Sequence, residues 1–186
     1  VGKGDTIIME SCEYCNSFLN FTPTIAVILD IEADHLDFFK DLEDIKHSFR
    51  AFSELTPEDR GIVIANGMDK NTMDAIKGIK RRVITFGMTP DMDVYPTHFD
   101  RGYSSFDVIC QGHFYTHVDL RVLGEHNCMD ALAAIAAAWA LGTPPEAVTR
   151  GLTSFTGAAR RMEFKGTFRG ADIYDDYAHH PGELKA

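Results

Sequence analysis

With 186 residues, 45% of them apolar and 25% charged, the chain has the make-up of one globular domain, with room for part of a second, and not of a disordered segment. A formal charge of −10 argues against a general binder of nucleic acid or anionic membrane, because such binding rests on neutralising phosphates with Lys and Arg. An anionic small-molecule ligand stays open, since Mg2+ and a few local arginines can supply positive charge where it is needed.

In chain order, TIIM (Thr6 to Met9) and TIAVIL (Thr24 to Leu29) are short continuous apolar runs, the pattern of parallel strands buried on both faces. DLEDIKHSFRAFSEL then carries Leu42, Ile45, Phe49 and Phe52 at helical spacing, with Asp41 as its N-cap. GIVIAN predicts a further buried strand, residues 69–77 a weaker helix, and RVITFG another strand. This alternation predicts an α/β fold with an open, mostly parallel sheet flanked by helices. Residues 93–123 alternate instead and place Gln111-Gly112 at a hairpin turn, so they predict an antiparallel patch on the sheet's edge. HNCMDALAAIAAAWALG predicts a small-residue helix closed by Gly142, and PPEAVTRGLTSF a second helix with Pro144 at its first position. RRMEFKGTFRGADIYDD predicts two short strands around a glycine turn, with a domain boundary near Gly157 that separates residues 1–157 from 158–186.

No apolar run reaches the roughly 20 residues of a membrane span; the longest is the alanine-rich stretch 131–141. VGKGDTIIMESCEY has no signal-peptide core. Four cysteines make no disulfide scaffold, so a reducing cytoplasm is the expected location. Cys12-x-x-Cys15 lacks the second ligand pair that a structural zinc site requires, since Cys110 and Cys128 are single and fall inside a predicted strand and a predicted helix. His113 and His117 lie on an alternating stretch, where four residues span roughly 13 Å, too far to share a metal. EADHLD (Glu32 to Asp37) is different. It follows a buried run directly, at the carboxyl end of a strand, where ligands bind in open α/β sheets. Glu10 follows TIIM in the same way, and Asp175-Asp176 follow Ile173-Tyr174. Helix capping by Asp34 and solvation of the loop is the bland alternative.

ESCEYCNSFLNFTPTIAVILDIEADHLD, LGEHNCMDALAAIAAA, GAARRMEFKG and DDYAHHP occur in the order seen in Mur ligases, a family of cytoplasmic ATP-dependent enzymes that build the peptidoglycan precursor. The chain resembles that family over nearly its whole length. The ESCEYCNSFL stretch is most similar to the branch that adds L-alanine to UDP-N-acetylmuramate, while a branch that attaches a preformed tripeptide shares DDYAHHP. The resemblance implies transfer of the ATP γ-phosphoryl group to a carboxylate, with Mg2+ to neutralise the meeting anions. It implies Glu10 and His35 as the metal ligands and catalytic pair, although imidazole is a less usual Mg2+ partner than a carboxylate. It implies His126 and Asn127 on the adenine side, Arg161 near the phosphates with Arg160 able to share that role, and Asp176 reaching the ribose.

Three features depart from the family. Asp30 stands where many relatives have Asn. Phe49 or Arg50 falls where several carry a carbamylated lysine. No G-x-x-x-x-G-K-[ST] is present, and the resemblance places that phosphate cradle upstream of Val1. DDYAHHP then corresponds to the start of the carboxyl-terminal, amino-acid-binding domain. On this reading the chain folds by itself but does not ligate. A metal-dependent phosphohydrolase using Asp34, His35, Asp37, Asp176 and His179 is one alternative, and a non-catalytic interaction module another.

Overall fold

TIAVIL and GIVIAN form a parallel pair: β1 (Ile25–Ile28) lies beside β2 (Ile62–Asn66), with Ile25 opposite Ile62 and Ile28 opposite Ala65. The computed structural model describes residues 4–179 and Leu184. The chain divides into two compact units, Val1–Ile84 and Thr85–Ala186.

In the first unit, α1 (Leu42–Glu54) connects β1 to β2. Its N-terminus is closed by the Asp41 carboxylate, which accepts from the Asp44 N–H at 3.0 Å. That bond satisfies one of the amide groups a helix start leaves without an intrahelical partner. Ile45, Ser48 and Phe52 recur on its buried face. Ile28, Ile31, Phe39, Ile45, Val63 and Ala75 form the main core, and Phe18 stacks on Phe52 beside Ala26. Burying each of the Ile, Val and Phe side chains here stabilises the fold by about 1.5–3 kcal/mol. The short α2 (Lys70–Ala75) starts from Asp69, and β3 (Arg82–Phe86) follows.

In the second unit, β4 (Val94–Thr97), β5 (Ser105–Cys110) and β6 (His113–Asp119) pair antiparallel in turn. Gln111 and Gly112 join β5 to β6 with φ of 47° and 79°, the left-handed pair of a two-residue turn whose twist matches the strands. Phe106, Val108 and Cys110 alternate inward along β5. The helix α3 (Glu125–Ala140) buries Cys128, Leu132, Ile135 and Ala136, and Gly142 (φ 69°) ends it. The helix α4 (Pro145–Ser154) packs on β6, where the Thr116 and Thr149 hydroxyls meet at 2.6 Å. The strand order of the six-stranded sheet is β1-β2-β3-β4-β5-β6, with β1–β2 and β3–β4 parallel, so the α/β architecture and its antiparallel edge are as expected. β7 (Glu163–Phe168) and β8 (Ala171–Asp175) form a separate hairpin that leaves Phe164, Phe168, Ile173 and Tyr174 exposed.

Two expectations are corrected. TIIM forms no strand: residues 6–9 join no sheet, and Ile7 and Ile8 are 83% and 92% exposed. An apolar run becomes a strand only when a neighbour takes its N–H and C=O groups, and among the described residues these four have no such neighbour. Pro145, not Pro144, holds the first position of α4, with Pro144 as the cap residue.

His113 and His117 lie on the exposed face of β6, as the alternation predicts. Asp107 of β5 takes the His117 Nδ1 at 2.7 Å and the His98 Nδ1 at 3.1 Å, and Asp119 lies 3.4 Å from the His117 Nε2. The bond to Asp107 raises the His117 pKa and lowers that of Asp107. A raised histidine contributes stability that is complete below about pH 6.5 and is lost as pH rises through its folded value; a lowered carboxylate contributes above about pH 3.9 and is lost on acidification. The pair therefore acts fully between about pH 4 and 6.5. Because the pair is largely solvated, His117→Ala is expected to cost about 0.2–1 kcal/mol in urea unfolding at pH 6 and nothing at pH 9. Equal losses at both values would remove the ion pair from the account.

Candidate functional site

The loop after β1 is fixed from α2. Asp69 caps that helix by accepting from the Thr72 N–H (2.8 Å) and hydroxyl (2.6 Å), and the same oxygen accepts from the Ile31 N–H at 3.1 Å. Asn71 donates to the Ile31 carbonyl at 2.8 Å, so both backbone groups of this buried residue are held. Four residues on, His35 adopts φ 52°, a left-handed conformation uncommon without glycine. Its N–H donates to Asp34 Oδ1 at 2.6 Å, and its carbonyl accepts from Phe38 and Phe39, both at 2.9 Å. Asp69→Ala should cost about 1–2 kcal/mol as a lost cap. It should also increase amide hydrogen exchange at Ile31; unchanged exchange there would show that the loop is positioned without Asp69.

The other half of the site is the tight turn Tyr14–Asn20, in which Cys15 (φ 53°) and Asn16 (φ 56°) are also left-handed. Asn16 is tied to α1 through the Ser48 hydroxyl. Glu13, immediately before this turn, points Oε1 at the His35 Nε2, 3.3 Å away, with Asp34 Oδ2 at 3.8 Å from the same nitrogen. Glu13, Asp34 and His35 each offer a ligand atom within 4.8 Å of the others, the one such group among the described residues. Two hard carboxylates and an imidazole, partly exposed, suit a divalent cation that keeps water in its remaining positions, so the donor set fits Mg2+ or Mn2+. Glu10 lies outside this group on an exposed stretch. The cysteines offer no rival centre: Cys12 and Cys15 are exposed and outside the group, and burial pushes the Cys110 and Cys128 thiols up to about 12.

A second group forms in the other unit at the start of α3. Gly124 (φ 103°) gives way to Glu125, so His126 and Asn127 stand in the helix's first turn, as expected. The Asn127 amide donates to the Leu123 carbonyl at 2.7 Å and lies 2.9 Å from the His126 Nε2. Asp130, one turn on, keeps an exposed side chain yet lies among enough protein for its carboxyl to be raised, and the charges of His126 and Arg161 oppose that rise. Arg161 is thus near enough for its charge to act on the Asp130 carboxyl. Beside it, the Asp176 carboxylate accepts from the Met162 N–H at 2.7 Å and the Ala178 N–H at 2.6 Å. The Arg160 guanidinium lies over the Tyr177 ring, 4.3 Å from its centroid. His179 is described and faces the Tyr177 carbonyl at 3.0 Å, whereas His180 and Pro181 of DDYAHHP lie outside the described residues. Glu13 and Asp130 are the two members of these groups that are not among the candidates read from the sequence.

An open α/β sheet with an acid–imidazole group beyond the carboxyl end of a strand has that group where ligands bind in this class of domain. The chain belongs to the Mur ligase family: residues 2–138 match the Mur ligase middle domain. Over its whole length it is 43% identical to the UDP-N-acetylmuramate–L-alanine ligase of Caldanaerobacter subterraneus subsp. tengcongensis and 45% identical to that of Agathobacter rectalis. It spans 41% of each of these curated relatives. Among solved structures it is similar to MurF from Acinetobacter baumannii (27% identity, TM-score 0.76, 91% of this chain and 37% of that one). It is also similar to MurC, the UDP-N-acetylmuramate–alanine ligase of Thermotoga maritima (26% identity, TM-score 0.73, 91% and 38%). The UDP-N-acetylmuramate:L-alanyl-gamma-D-glutamyl-meso-diaminopimelate ligase of Neisseria meningitides matches at 30% identity and TM-score 0.68 over 77% of this chain and 44% of that one.

Proposed function

We propose that the chain is the central, ATP-binding domain of a cytoplasmic ligase that joins L-alanine to UDP-N-acetylmuramate in peptidoglycan synthesis, with residues 158–186 opening an amino-acid-binding domain. The observation that carries this reading is the whole-chain identity of 43–45% to ligases of that name, on a chain whose carboxylates and imidazole can hold a divalent cation. The exposed apolar side chains of the β7–β8 hairpin support the second part, because a two-stranded hairpin is marginal until something covers it.

The reaction has two steps. The muramate carboxylate attacks the ATP γ-phosphorus, ADP leaves, and an acyl phosphate forms. The amine of L-alanine then attacks the acyl carbon, inorganic phosphate leaves, and the amine gives up a proton. A bound Mg2+ supplies charge neutralisation where two anions must meet. Glu13, His35 and Asp34 would hold it. His126 and Asn127 would take the adenine side, Arg161 the phosphates and Asp176 the ribose. With Leu123 and Gly124 held in place, Asn127 would present its remaining amide capacity to the base without reorganising.

The test uses the whole protein that carries this domain. Phosphate release from ATP is followed with UDP-N-acetylmuramate and, in separate reactions, L-alanine, other amino acids and the L-alanyl-γ-D-glutamyl-diaminopimelate tripeptide. Release that depends on L-alanine is expected. Dependence on the tripeptide would move the protein to the peptide-attaching branch, and release without any amine acceptor would favour a phosphohydrolase.

A further inference from the structure

Tyr14 follows Glu13 directly, yet its side chain crosses to the other ligand-bearing segment. The phenol donates to Asp37 Oδ2 at 2.8 Å, and the ring lies against the His35 imidazole with centroids 4.7 Å apart and planes inclined by 39°. Phe38 meets that ring edge-on at 6.1 Å and itself packs edge-on against Phe39, which is buried in the core. A continuous aromatic path therefore runs from the core through Phe39 and Phe38 to Tyr14 and ends on His35.

The need for such a device is visible in the backbone. Cys15, Asn16 and His35 all hold positive φ, and these strained residues sit in the two segments that carry Glu13 and His35. Strained conformations persist only where the surroundings over-determine them. Without a brace, the Glu13 turn and the His35 loop would relax independently, and two ligands that must approach one cation would drift apart.

Building on the reading of Glu13, Asp34 and His35 as a cation site, we propose that Tyr14 and Asp37 are positioning residues: a cross-segment brace that sets the Glu13–His35 spacing and thereby the cation affinity. Neither belongs to the ligand group itself. The phenol–carboxylate bond fixes the distance between the segments, and the ring face fixes the orientation of the imidazole. Outer partners of metal ligands characteristically act this way, and their loss costs about 10–100-fold in metal affinity.

The test measures Mn2+ binding to the whole protein by electron paramagnetic resonance of the free ion, without nucleotide, beside the Mg2+ dependence of turnover. Tyr14→Leu removes bond and ring and should weaken Mn2+ about tenfold. Tyr14→Phe keeps the ring and should show a smaller loss, matched by Asp37→Ala. Asp37→Asn retains an oxygen acceptor and should bind nearly as the parent does. Combining Tyr14→Phe with Asp37→Ala should be no worse than either alone, because both remove one bond. Saturating Mg2+ should restore kcat in each variant, which a merely structural lesion would not allow. If Tyr14→Leu fails to fold, the Tyr14→Phe and Asp37→Ala arms decide. Parent-like Mn2+ affinity in folded Tyr14→Leu, or in both of those arms, would overturn the brace while leaving the cation site standing. Parent protein that binds no Mn2+, or binds it unchanged after Glu13→Gln, would overturn the site and the brace together.

Discussion

His35→Ala, in the protein that carries this domain, is expected to lower kcat/KM by about a thousandfold, or about 4 kcal/mol of transition-state stabilisation. The imidazole is held by Asp34, Glu13 and Tyr14, so its removal takes away one cation ligand and leaves two carboxylates facing each other without a bridging partner. Glu13→Gln should come within tenfold of the same loss, because an amide oxygen is a weaker ligand for a hard cation than a carboxylate. Glu10→Gln should cost little, since Glu10 lies outside the group. Steady-state kinetics at several Mg2+ concentrations separate the cases: an impaired cation site shifts the Mg2+ requirement as well as the rate. A Glu10 variant as damaged as the Glu13 variant would move the centre back along the chain.

Gly124→Ala should produce the second large effect. At φ 103° and ψ 149° the residue occupies a region almost restricted to glycine, where an L side chain costs about 1–3 kcal/mol. Space is also missing: an added Cβ would lie 2.7 Å from His126 Cε1 and 3.0 Å from its Nδ1, so the imidazole must move. That ring is the neighbour of the Asn127 amide, so the disturbance passes directly into the first turn of α3. The expected result is a lowered unfolding midpoint together with a KM for ATP raised about tenfold, with the KM for L-alanine nearly unchanged. Gly142→Ala is the control. It shares a positive φ of 69° but meets nothing within 4 Å, so it should cost stability and leave ATP binding alone. Equal KM changes for both substrates in Gly124→Ala would indicate general disruption instead of a nucleotide-side effect.

The parts of the fold legible in the sequence are those governed by local rules. Asp41 and Asp69 cap their helices because a short carboxylate reaches the amides of the first turn. Gln111-Gly112 turns because only left-handed residues match the strand twist, and Gly142 ends α3 for the same backbone reason. TIIM misled because a four-residue apolar run carries no period and cannot announce whether a neighbour exists to pair with it. Glu10 is singled out by that strand reading and by the family resemblance together, while Glu13, three positions later, has its carboxylate 3.3 Å from the His35 Nε2. The left-handed Cys15 and Asn16 that help carry the chain past Glu13 are not glycines, so nothing in the letters flags them. Asp130 was within reach, since its i+4 spacing from His126 places both on one helix face. Tyr14 stood hidden inside Cys12-x-x-Cys15, a pattern that directs the eye to thiols the structure leaves outside the ligand group.

The central claim is that Glu13 and His35 share one divalent cation. Crystals of the whole protein grown with ATP and Mn2+, measured at the manganese absorption edge, test it most directly. An anomalous peak within about 2.0–2.4 Å of Glu13 Oε1 and His35 Nε2 is the predicted result. A peak coordinated by Glu10 and not Glu13, or Mn2+ bound only to the nucleotide with His35 still paired to Glu13, would contradict it.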